Sequence, residues 1–275
     1  MAAKGLTHTD IAACATLPFL MARLRRCVLA CLAALPVLQA CSGGAYSWGW
    51  YVVSPLDGRG LKNIGFLLDG LWATIAISVT AIAIAVVTGA SLAMLALSRH
   101  RSLRAVARVY VEGVRAIPLL VLLLWVYYGL PVVLGIQFDV FTAGVLSLAI
   151  SDAAFEAEIF RAGIQSIGRG QTEAAQSLGL TRWQAMRLII LPQAIRRILP
   201  ALGNQFVYVL KMSSLVSVIG FQELTRRANE LTLVEYRPLE IYSFLVLEYL
   251  LLILLVSFLV RRLEKRLARD GSERR

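Results

Sequence analysis

The sequence predicts an all-α protein that crosses a membrane several times. Three observations carry this. Of 275 residues, 58% are hydrophobic and only 16% charged. A soluble domain holds roughly 45–50% and 25%, so a water-soluble fold would be left with large exposed apolar patches. The apolar residues fall in runs long enough for a bilayer core of about 30 Å, which takes about 20 helical residues. The arginines fall between alternate runs. Abundant Leu, Ile, Val and Ala exclude disorder. A net charge of +11 would suggest nucleic acid in a soluble protein. Here it marks loops on one side of a bilayer, and no nucleic-acid partner is expected.

At the N-terminus, Arg23, Arg25 and Arg26 precede an apolar run from Cys27 to Cys41 that contains Pro36. This run is short for a span and suits a signal-like segment. Met21 offers an alternative start. Leu38-Gln39-Ala40-Cys41 before Ser42-Gly43-Gly44 has the form of a lipoprotein cleavage box with Cys41 lipidated; the other reading of this N-terminal extension, 1–41, is that it holds an uncleaved anchor helix in which Cys41 has no role. Residues 42–69 form an external lead-in, with Trp48, Trp50 and Tyr51 as an interfacial aromatic belt. Five core spans are expected, at about Gly70–Leu97, Ile117–Ile136, Phe141–Phe160, Ala201–Phe221 and Ile241–Val260. Helices satisfy their own backbone groups, as hydrocarbon demands.

Loop charges set the orientation. Arg99, Arg101, Arg104, Arg108 and Arg115 come after the first span. Arg161, Arg169, Arg182, Arg187, Arg196 and Arg197 come after the third, and a basic tail occupies 263–275. Between the second and third spans stands Asp139 with no basic residue, and after the fourth Arg226, Arg227 and Arg237 are offset by Glu223, Glu230, Glu235 and Glu240. The basic side, with the C-terminus, is expected in the cytoplasm.

The loop at about 165–200 is too long and too patterned for a connector. Gly168 and Gly170 precede a short helix expected at about Thr172–Leu178. Gly179 is placed to end it, and Thr181 to cap a second helix from Arg182. Pro192 and Pro200 should end or kink this second helix. A small, locally folded knob of this kind suits a groove in a partner. The competing reading is an amphipathic pair of helices on the lipid surface.

This segment resembles the EAA loop of ABC importer permeases. Glu173-Ala174-Ala175, then Gly179-Leu180, then Ile189, Leu191 and Pro192 match E-A-A-x3-G-x9-I-x-L-P without a gap. The resemblance extends over about 70–265, through Gly70-Leu71-Trp72, Glu112-x-x-Arg115-x-x-Pro118-Leu119-Leu120, Ala157-Glu158-Ile159-Phe160-Arg161 and Leu210-Lys211-Met212-Ser213-Ser214. It is specific to permeases of polar amino-acid importers of the histidine, glutamine, glutamate and arginine type. The resemblance implies the type I importer permease fold over 70–262. It implies coupling through the EAA loop to a separate ATPase dimer that binds ATP and Mg. It implies a second permease subunit, identical or related, a periplasmic substrate-binding protein, and a place in the bacterial inner membrane. Glu112 and Arg115 are either part of the family pattern or a local i,i+3 pair.

Charges at membrane depth are costly, by at least about 2.5–3.5 kcal/mol on insertion scales, so they are candidates for the substrate pathway. Asp152, Glu156 and Glu158 lie on the third span, Lys211 and Ser214 on the fourth. Asp152 and Glu156 share a helix face and depart from the family, where these positions are more often small, polar or apolar. If they face a cavity they suit the ammonium group of a cationic or neutral amino acid. Glu156 has an alternative partner in Arg161, and Lys211 holds the substrate carboxylate or bridges to Glu158. Glu248 is expected to make a buried hydrogen bond near Tyr249. A secondary transporter would need internal repeats and usually a longer chain, and a membrane anchor leaves 173–192 unexplained. No G-x-x-x-x-G-K-[ST] phosphate loop occurs, so no cofactor is expected in this chain. The four cysteines (Cys14, Cys27, Cys31, Cys41) and two histidines (His8, His100) have no metal-ligand spacing, so no metal is expected.

Overall fold

The computed structural model describes residues 46–272. The expectations for 1–41, including the lipidation of Cys41, lie outside them. The chain divides into units Met1–Trp48 and Gly49–Arg275. In the first, the rings of Tyr46 and Trp48 meet edge-on at 5.2 Å. The second carries the fold, and every regular element described in it is helical.

A 3-10 turn, Trp50–Val53, leads into α1, Gly58–Ala96. Asp57 caps this helix by accepting from the Arg59 amide, so it begins well before Gly70 and takes in much of the expected lead-in. Polar side chains along it bond within the helix: Thr74 to the Gly70 carbonyl, Ser78 to Thr74 and Thr88 to Ile84. That is how Ser and Thr sit in an apolar helix without an orphaned hydroxyl. α2 runs Arg101–Ala116 and α3 Leu119–Leu134, bent by 101° at Ile117-Pro118. The expected second span is therefore one arm of a bent pair; α3 alone has 16 residues, short of the 20 a bilayer core takes.

α4, Val140–Gln165, is the central helix and buries most of its length. α5 is the short helix Arg169–Ser177. α6, Arg182–Ile219, runs through the expected kink sites and ends in a 3-10 stretch from Ser213. α7, Leu224–Glu235, precedes α8, Pro238–Ser272. α8 turns Val246, Leu250, Leu254 and Phe258 outward and continues as helix into the expected basic tail.

Two π turns carry α3 and α6 past their prolines. Trp125–Gly129 stands before Leu130-Pro131, and Met186–Ile190 before Leu191-Pro192. Proline lacks the backbone donor and crowds the carbonyl of the previous turn; the wide turn relieves that conflict. Pro192 therefore does not end the helix, and Pro200 lies inside it.

The most extensive helix pairing joins α1 to α4. Ala81, Ala85, Gly89 and Ala93 form one buried stripe, opposite Ala149, Ala153 and Ala157. Small residues let membrane helices approach until their backbones make dispersion contacts. A Cβ on Gly89 would stand 2.5 Å from the Glu156 Cβ and 3.1 Å from the Ala153 carbonyl, so only glycine fits.

Candidate coupling segment and charged cleft

The 165–200 region folds as a knob on a small apolar base. Ile167, Ile190, Ala194 and Ile198 form that base. α5 begins at Arg169, three residues before the expected start. Its end is set by backbone bonds: the Leu180 amide donates to the Ala175 carbonyl at 3.1 Å, and the Gly179 amide to Gln176 at 2.9 Å. This is a Schellman ending, and it requires the left-handed conformation that Gly179 adopts at φ +76°. Thr181 then closes a capping box: its amide donates to Gln184 Oε1 at 2.8 Å and its hydroxyl accepts from the Gln184 amide at 3.3 Å. Gln193 Nε2 donates to Gln171 Oε1 at 3.2 Å. Arg197 donates to the Ser166 carbonyl at 2.6 Å. The two alanines of the motif part company. Ala175 is fully buried, while Ala174 and Glu173 are exposed. Leu178 stands 78% exposed at the tip. Leu180 and Ile189 are half-buried, and Leu191 and Pro192 are exposed. The knob thus presents Glu173, Ala174 and Leu178 outward, held by caps rather than by depth of packing.

The five pathway candidates separate into three places. Asp152 and Glu156 are buried between helices. Asp152 Oδ1 accepts a hydrogen bond from Gln205 Nε2 on α6; its Oδ2 and both Glu156 oxygens have no partner among the described residues. Glu158 instead lines a cleft of about 400 Å³ with Arg104, Arg108, Glu112, Arg115 and Arg161. A second cavity of about 580 Å³, with Ser166 and Arg197, shares Arg115 and Glu158 as walls. Lys211 is exposed, and Ser214 is half-buried with its hydroxyl bonded to the Lys211 carbonyl at 2.8 Å.

Several expected pairings are replaced. Glu158 binds Arg161 twice, at 2.6 and 3.1 Å, so neither the Lys211–Glu158 bridge nor the Glu156–Arg161 pair forms. The i,i+3 spacing aligns the two side chains on one face, and i,i+5 does not. Arg115 lies over the Phe155 ring at 5.0 Å, a cation–π contact, and makes no ion pair with Glu112 among the described residues. Tyr249 donates to Glu223 at 2.8 Å, while Glu248 beside it is buried and neither of its oxygens has a partner among the described residues. Sequence reasoning missed Gln205 and Gly89. The four-residue spacing of Ala81, Ala85, Gly89 and Ala93 was the available signal for the second; nothing local marks the first.

Residues 85–269 match the family of binding-protein-dependent transport system inner membrane components. The chain belongs to this family. It is accordingly a multi-pass membrane permease component of an ABC import system, and the matched region holds both the knob and the buried carboxylates. The permease is 43% identical over 163 residues to the glutamine transport system permease protein GlnP of Escherichia coli K12, covering 59% of this chain and 74% of that one. It is 41% identical over 208 residues to the probable glutamine ABC transporter permease protein GlnM of Bacillus subtilis, covering 76% and 96%. Among solved structures, it is similar to an amino acid ABC transporter with histidines (44% identity, TM-score 0.71, covering 75% of this chain and 96% of that one). It also shares the fold of an inward-facing methionine ABC transporter at 21% identity and a TM-score of 0.65, covering 74% and 97%.

Proposed function

We propose that this permease carries a polar amino acid inward across the bacterial inner membrane. A separate ATPase dimer, binding ATP and Mg, drives it by gripping the knob, and a periplasmic binding protein delivers the substrate. A second permease subunit, identical or related, completes the pathway. The observation that carries the reading is the knob itself: Glu173, Ala174 and Leu178 project from a helix closed by Gly179 at φ +76°. A lipid-surface helix pair would lay its apolar residues along one face; here Leu178 stands 78% exposed at the tip and Glu173 is exposed too, on a helix end sealed by caps. The arginine-rich end, which bears the knob, lies in the cytoplasm by the charge rule.

The glutamine permeases among its relatives support an amide side chain as substrate. The amino acid transporter with histidines supports a basic one. Asp152 and Glu156 do not favour either, because both are buried away from the clefts. The polar groups that an amino acid meets are those shared by the two cavities, the Glu158 carboxylate for an ammonium and Arg115 for a carboxylate.

The test is uptake into proteoliposomes holding permease, its ATPase and its binding protein. Labelled glutamine is offered against excess histidine or arginine. Uptake that needs internal ATP, and disappears with Glu173→Lys along with co-purifying ATPase, upholds the reading. Uptake driven by a proton or sodium gradient without ATP would overturn it.

A further inference from the structure

The buried carboxylates of α4 form a ladder with one rung in use. Asp152 and Glu156 are four residues apart, so their side chains leave one face about 6 Å apart along the axis. Gln205 on α6 occupies the first rung, donating to Asp152. The second rung is fully buried, and neither of its oxygens meets a donor among the described residues. A buried acceptor without a donor forfeits its hydration and receives nothing back. Packing does not account for Glu156 either, since α1 gives up a side chain at Gly89 to make room for it. Gln205 is also placed to move. Its helix is continuous from Arg182, next to the knob, through to Ile219. What holds α6 to the lower end of α4 includes a single exposed arginine, Arg197, on Ser166.

We propose that Gln205 exchanges acceptors during the transport cycle, bonding Asp152 in this conformation and Glu156 in the alternate one. The exchange takes place as α6 shifts along α4 toward its arginine-rich end. α6 runs antiparallel to α4, so a shift in that direction carries Gln205 from the Asp152 level toward the Glu156 level. Rotation of the long glutamine side chain supplies part of the distance. Elements that slip by about one turn between two discrete seats are a known form of bistable packing. Each seat here offers the amide one carboxylate, so the helix has two resting registers and unpaired groups between them. Gln205 is thus a positioning residue that links the knob to the central helix. The inference rests on the importer reading, because that reading supplies the force on the knob.

The test is cross-linking in the assembled complex, with its ATPase and binding protein in proteoliposomes and Cys14, Cys27, Cys31 and Cys41 replaced by serine. The pairs are Asp152→Cys with Gln205→Cys, and Glu156→Cys with Gln205→Cys. Without nucleotide the 152–205 pair should predominate; trapping with ATP and vanadate should shift the ratio toward 156–205 by about tenfold. The cysteines remove the groups in question, so a second measurement uses Glu156→Gln, which keeps an acceptor, and Glu156→Leu, which does not. The glutamine variant should transport like the parent, and the leucine variant should lose about tenfold in amino acid moved per ATP while the complex still assembles. Cross-linking ratios unchanged by trapping, or equal coupling in both variants, would overturn the exchange. If the parent imports with ATP under those conditions, the importer reading survives that failure. A parent that hydrolyses ATP and imports nothing would remove both.

Discussion

The crossing of α1 and α4 and the knob at 169–181 achieve order by opposite means. At the crossing, side chains are removed: Ala81, Ala85, Gly89 and Ala93 bring two backbones together, and Glu156 fills the space left at Gly89. At the knob, Glu173, Ala174 and Leu178 stay exposed and the backbone closes on itself through Gly179 and the Thr181–Gln184 box. Lipid offers no hydrophobic drive between helices, so closeness must supply the attraction. At an exposed segment the unmet need is the amides and carbonyls at helix ends, so caps supply the order. The crossing should therefore fail through volume and the knob through conformation.

Gly89→Leu gives the largest effect. Its first added atom already collides with Glu156, and overpacking should cost about 3 kcal/mol, read as loss of folded protein in detergent thermal unfolding. Adding Glu156→Ala should restore part of the loss, since the two sites share one space. If Gly89→Leu alone is tolerated, the crossing is looser than its distances say.

Gly179→Val comes next. A branched residue forced into the left-handed region costs about 1–2 kcal/mol. The cost is local, so the bundle should unfold at the parent temperature while co-purification of the ATPase falls. A drop in both would break the contrast between the two regions. Thr181→Ala is smaller, at about 1 kcal/mol for a lost cap, and should appear as faster hydrogen exchange over 181–185 alone.

The smallest effect is electrostatic. On α7, Glu230 accepts from Gln222 and pairs with Arg226 at 2.8 Å. These contacts, the Gln222 bond foremost, hold its carboxyl below the ordinary value of 4.5. A carboxylate depressed in the fold stabilises above its unfolded value, and the contribution is lost as pH falls through the folded one. Parent stability should therefore decline slightly more steeply below about pH 4.5 than that of Glu230→Gln, measured by thermal unfolding across pH 3–6. Identical slopes would place no weight on this contact.

Legibility in the sequence divides along the same line. The knob was readable because caps are local: Gly179, Thr181 and the motif residues act within a few positions of one another. Hydropathy placed the spans, since transfer from water depends on composition. It did not place the break at Ile117-Pro118 as a 101° bend, because a proline marks a boundary without setting the angle beyond it. The partners of the buried charges were the least readable. Asp152 meets Gln205, 53 positions away, and that pairing depends on how α4 and α6 face each other. Glu158 and Arg161 stand one turn apart, a spacing that suits an ion pair, yet the sequence reading set Arg161 against Glu156 and Lys211 against Glu158.

The turn at Met186–Ile190 has a consequence for comparing chains of this kind. A π turn is an α-helix that has accommodated one residue too many, and each residue advances an α-helix by about 100°. Removing one position between 186 and 190 would restore ordinary pitch and swing everything before it by that angle about the axis of α6. The knob would keep its shape and its sequence yet point elsewhere. Phase, set by a single inserted residue, is therefore a heritable property of this segment, and two chains that align without a gap through 173–192 share a bearing as well as a motif.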